Sequence, residues 1–93
     1  MALKETRDEN VMVHMCLAIA HIAYCAEGQA ACVKVGSEKV LIAVLGATTN
    51  ERVKVNAIVA LANIALSAKG LAACLKVGLE KVLAAVLETT TDE

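Results

Sequence analysis

The chain repeats itself. Residues 11–51 lie over residues 53–93 without a gap at an offset of 42, and 24 of the 41 pairs are identical. Within that window GQAACVKVGSEKVLIAVL stands over GLAACLKVGLEKVLAAVL, and Leu3, Thr6 and Glu9 extend the match backwards over Leu45, Thr48 and Glu51. A repeat of this kind means that each unit is one supersecondary structure that buries its faces against its neighbours. The units run from about 3–44 and 45–86, with 87–93 beginning a third, in a single domain of 93 residues.

Punctuation inside a unit reads as helices. Asn50 is a good N-cap, Glu51 opens a first turn, and apolar residues run on to Leu66. Ser67-Ala68-Lys69-Gly70 then reads as a turn, with Gly70 available for positive φ. A short helix over 71–77 stops at Gly78, and another over 79–87 fades into Thr89-Thr90-Thr91. The earlier unit has Asp8 as cap, Gly28 and Gly36 as breaks, and Gly46-Ala47-Thr48-Thr49 as the closing turn. Three helices per unit, long, short and medium, make an all-α chain. Its apolar share of 58% is mostly Ala and Val, with Tyr24 the only aromatic, which suits helices packed at close approach.

The run NERVKVNAIVALANIALSAKGLAACLKVGLEKVLAAVLETTTDE resembles an armadillo repeat, read from its third helix (50–67) through the first (about 70–77) and second (79–89) of the next unit. The resemblance rests on the A-L-x-N-[IL]-A ending seen in Ala60-Leu61-Ala62-Asn63-Ile64-Ala65, on the apolar spacing of that helix, and on Gly36 and Gly78 at the bend between first and second helices. It implies a right-handed α-solenoid whose third helices line a groove, with the Asn at position 63 pairing with the backbone of an extended peptide. Lys39 and Lys81 stand where the family often has Pro, and Leu17 and Val59 where it often has Trp. The Trp–Asn pairs of nuclear-import receptors are therefore not matched.

On a helical wheel Val53, Ala57, Leu61, Ile64 and Ala68 form one apolar stripe, and Ile58, Ala62 and Ala65 a second. Two stripes predict two neighbours. The remaining stripe, Arg52, Asn56, Val59, Asn63 and Leu66, has the mixed polarity of an inner groove, and His14, Leu17, His21 and Tyr24 continue it in the first unit. An Asn amide has the donors and the acceptor that a bound backbone requires. Asn63 has a second reading, in which it satisfies an adjacent helix end or is solvated, and for the histidines an ordinary wet face competes with a partner contact.

Composition excludes other classes. With 20% charged residues and a net charge of −1 the chain is neither a disordered tail nor a strongly basic nucleic-acid binder. The apolar segments 11–26 and 53–68 are broken by His14, His21, Asn56 and Asn63 and fall short of the ~18–20 residues of a membrane span. Cys16, Cys25, Cys32 and Cys74 lie in helical pattern, and the opening MALKETRDEN is polar. They read as free thiols filling a core in a reducing cytoplasm. His21 and Cys25 are four apart, but no further ligand stands near them, so no metal or cofactor is expected. No nucleophile is paired with a base and an acid, which makes an enzyme unexpected. Lys34, Lys76, Glu38, Lys39, Glu80 and Lys81 read as a solvated convex face. Two functions remain: a module gripping an extended protein segment, or a unit that self-assembles into a homo-oligomer by head-to-tail or helix-exchange stacking.

Overall fold

Asp8 opens the first helix, its carboxylate accepting from the backbone N–H of Asn10 at 2.9 Å and Val11 at 3.3 Å. These are donors that a helix start leaves without an internal partner. The computed structural model describes residues 8–89 as six α-helices: α1 (Glu9–Ile22), α2 (Ala26–Val35), α3 (Ser37–Ala47), α4 (Glu51–Ile64), α5 (Ala68–Val77) and α6 (Leu79–Thr89). Each boundary in α4–α6 is its counterpart in α1–α3 shifted by 42. The repeat is therefore structural as well as sequential, and no strand occurs among the described residues. Of residues 87–93, expected to begin a further unit, 87–89 complete α6 and 90–93 lie outside the described residues.

Gly36 and Gly78 make the expected bends. Their φ values of 78° and 95° are left-handed, and each closes one helix and starts the next. Gly28 and Gly70 do something else. Both lie inside first turns, of α2 and α5, where no positive φ is needed. A Cβ at Gly70 would land on the carbonyl oxygen of Ile64, and one at Gly28 on that of Ile22. The expectation that they break helices is corrected: they let the following helix start against the end of the preceding one.

Helix ends shift accordingly. The third helix expected over 50–67 ends at Ile64, because the N–H of Leu66 turns to Asn63 at three-residue spacing and Ser67 joins α5. The Ser67 hydroxyl oxygen accepts from the Gly70 N–H at 2.9 Å, so Ser67-Ala68-Lys69-Gly70 is a cap and first turn rather than a terminator. Ala68 consequently leaves the apolar stripe and is exposed. Gly46 and Ala47 likewise stay helical, and the closing turn begins at Thr48.

The core follows the wheel. Val53, Ala57, Leu61 and Ile64 are fully buried, sharing one cluster with Val13, Cys16 and Ala20 of α1 and Leu41, Val44 and Leu45 of α3. α4 packs chiefly on α1 and next on α3, while α3 meets α6 and α2 meets α5. The second stripe, Ile58, Ala62 and Ala65, is only half-buried or exposed. Its counterparts Cys16, Ala20 and Ala23 are buried, being covered by the following unit. No helix among the described residues is long and apolar enough to cross a membrane.

Two readings of individual side chains are overturned. Cys25 is exposed in the turn before α2, whereas the other three thiols are buried. Glu38, placed on a solvated face from sequence, is 4% exposed, and its Oε1 has no hydrogen-bond partner. As the second residue of α3 it is roofed by the second unit, while its counterpart Glu80 is exposed.

Candidate interaction groove

The long helices α1 and α4 lie against each other, and their amide side chains stitch the contact. Asn56 donates from Nδ2 to the carbonyl of Val13 at 3.1 Å, and Asn63 donates to the carbonyl of Ala20 at 2.8 Å. The Ala20 carbonyl is open because the Tyr24 N–H, which would bond it in a continuing helix, turns to His21 instead. Asn63 thus satisfies an adjacent helix end, the second of its two readings from sequence. One N–H and the Oδ1 of each amide are left for other partners.

Beside this seam a cleft of about 390 Å³ is lined by Val13, His14, Leu17, Glu51, Arg52, Val55 and Asn56. Four of the nine groove residues expected from sequence, His14, Leu17, Arg52 and Asn56, therefore meet at one site. The His14 ring bonds through Nδ1 to the carbonyl of Asn10 at 2.8 Å, which fixes its orientation. His21, Tyr24, Val59 and Leu66 are exposed and Asn63 is half-buried, but none of these five lines the cleft. Val13, Glu51 and Val55 were missed. Since His14 and Asn56 are equivalent positions in adjacent helices, the residues flanking Asn56 were the available signal.

The lining combines an apolar floor of Val13, Leu17 and Val55 with an acid, a guanidinium, an imidazole and an amide. That set can hydrogen-bond a backbone and hold a side chain, but it contains no nucleophile activated by a base. A second cleft of about 310 Å³, lined by residues 45–49, Lys54, Val82, Ala85 and Val86, lies between the end of α3 and α6 and is mostly apolar.

The thiols lie apart from both clefts. Burial raises Cys16, Cys32 and Cys74 above the ordinary value of 9.0. At Cys32 a hydrogen bond with Ser37 opposes that rise while the Glu38 carboxylate adds to it, and Glu38 also adds to the rise at Cys74. Low-pKa thiolate chemistry therefore has no support at these three positions. Among the described residues no three His, Cys, Asp or Glu side chains converge as a metal site would need, and His21 and Cys25 have no third ligand.

Compared with protein-family models, with curated proteins and with solved structures, the chain matches none.

Proposed function

We propose that the chain is a non-enzymatic, armadillo-like interaction module that holds an extended segment of another protein across α1 and α4. The observation that carries this reading is the cleft where His14, Leu17, Arg52 and Asn56 meet. An extended segment arrives with unpaired N–H and C=O groups, and the free Oδ1 and N–H of Asn56 offer one acceptor and one donor to them. Leu17 and Val55 take an apolar side chain. Glu51 and Arg52 stand beside each other with opposite charges, so the partner expected is a segment of mixed charge rather than a run of lysines. The exposed Tyr24, Val59 and Leu66 extend the apolar surface of these two helices and their following turns.

The test uses random linear peptides displayed on phage and selected on the wild-type chain. Selected peptides should lose at least ten-fold in affinity for the Leu17→Ser, Arg52→Ala double variant and keep it for Leu71→Ser, which alters α5 away from the cleft. Binding that survives the first variant and fails with the second would remove the groove from the account.

A further inference from the structure

The two ends of the molecule are the two halves of an interface that it already makes once inside itself. Equivalent positions 42 apart are unequally buried. Val13 is 3% exposed and its counterpart Val55 is 55% exposed. Gln29 and Leu45 are buried while Leu71 and Leu87 are exposed. At the other end the inequality reverses: Ile22 is 53% exposed and Ile64 0%, and Val35 is 77% exposed while Val77 is half-buried. The second unit thus leaves open the kind of face that the first unit presents inward, and the first unit leaves open the kind that the second presents inward.

A polar vacancy follows the same translation. Ala20 lost its helical donor and received Asn63 instead. Its counterpart Ala62 also loses its helical donor, because the Leu66 N–H turns to the carbonyl of Asn63 at 3.2 Å. The residue equivalent to Asn63 in the first unit is His21, an exposed side chain with an N–H to donate.

We propose that copies of this chain stack head to tail in the register of the internal repeat, the α4–α6 end of one copy receiving the α1–α3 end of the next. In that stack Val55, Leu71 and Leu87 of one copy are covered by the surface carrying Ile22 and Val35 of its neighbour, and His21 of the neighbour donates to the Ala62 carbonyl. The contact is heterologous, so each copy keeps one open end and assembly continues. Of these residues only Val55 also lines the α1–α4 cleft.

Light scattering and sedimentation of the full chain test it. The wild-type mass should rise from 9.7 kDa with concentration up to several hundred micromolar. Leu71→Glu blocks one end and Val35→Glu the other, so each should remain monomeric alone. Mixed in equal amounts they should form a species of two chains and no larger, because each retains one intact end. Circular dichroism verifies folding, and Leu71→Ser and Val35→Ser replace any variant that fails to fold. His21→Ala should weaken wild-type association by roughly five-fold, the value of one neutral hydrogen bond. A wild-type mass fixed at 9.7 kDa throughout overturns the proposal. So does either variant dimerising alone, which means that like ends pair, or a mixture that stays monomeric.

Discussion

Removing the amide of Asn63 is the sharpest test of how the two units are joined. Asn63 is half-buried and donates at 2.8 Å to the Ala20 carbonyl, whose helical partner has turned away. Asn63→Ala deletes one neutral hydrogen bond and leaves a carbonyl that water reaches only in part, a loss of about 1 kcal/mol. Asn63→Asp costs more. It places an acceptor against an acceptor and a negative charge near the C-terminal end of α1, which adds about 0.5–1 kcal/mol. With a urea slope of about 1 kcal/mol/M for a domain this small, the midpoint should fall by roughly 1 M for Ala and nearly 2 M for Asp, with the slope unchanged. The sign with pH separates the two variants. An ionised carboxylate is disfavoured beside the carbonyl, so its pKa in the folded variant is raised, and protonation on acidification restores a donor. The Asp deficit relative to Ala should therefore shrink as pH falls through the carboxylate range, whereas the Ala deficit relative to wild type should show no such titration. Urea unfolding followed by circular dichroism at neutral and acidic pH measures both. Midpoints that coincide with wild type, or an Asp variant matching Ala at every pH, would show that Asn63 does not clamp the units.

Other perturbations follow from the same packing. Gly70→Ala and Gly28→Ala drive a Cβ into a backbone carbonyl and should each cost about 3 kcal/mol or more. Gly46→Ala meets nothing within 4 Å in α3 and should gain about 0.5–1 kcal/mol by chemical denaturation, so one substitution changes sign with position. Glu38→Met removes a buried acid with an unpartnered oxygen, and the gain should exceed the ~0.5 kcal/mol lost from the helix N-terminus, raising the urea midpoint. Of the four thiols, Cys25 alone should react rapidly with an aromatic disulfide in the native chain, and all four in denaturant. Because the three buried thiols titrate above 9.0 when folded, the unfolded chain loses those protons first, so stability should hold below that pH and decline as pH rises beyond it.

Most of the helical framework was legible because caps and periodicity are local. Asp8 and Asn50 cap as their residue types suggest, and Gly36 and Gly78 adopt the left-handed conformation that only glycine takes cheaply. Gly28 and Gly70 misled because the same residue serves two purposes. Their backbone angles are ordinary, and the need for a missing Cβ arises from a neighbouring helix end that pattern does not display. Glu38 misled for a related reason, since its exposure depends on which unit lies over it and not on its own helix. The groove was half legible. Its helices were identifiable, but pairing in register decided that Asn56 and Asn63 each spend a donor on α1.

Divergence between the units is unevenly distributed, and that bears on both proposals. Between α1 and α4, 8 of the 14 aligned positions differ, against 3 of 10 between α2 and α5 and 4 of 11 between α3 and α6. Packing accounts for part of this, because α1 and α4 bury against each other and cannot both present the same knobs to one seam. It does not account for Leu17 against Val59, nor, in the turns that follow these helices, for Tyr24 against Leu66, pairs exposed in both units. His14 against Asn56 and His21 against Asn63 contrast an imidazole with an amide, and the two amides are the side chains that bond the preceding unit. A segment lying across α1 and α4 would meet unlike side chains on the two helices, which distinguishes its two directions. A stacked neighbour would instead meet His21 where the internal seam has Asn63. Replacing His21 by Asn should therefore bring the external contact closer to the internal one while leaving the lining of the α1–α4 cleft unchanged, because His21 belongs to the stacking face alone and only Val55 serves both surfaces.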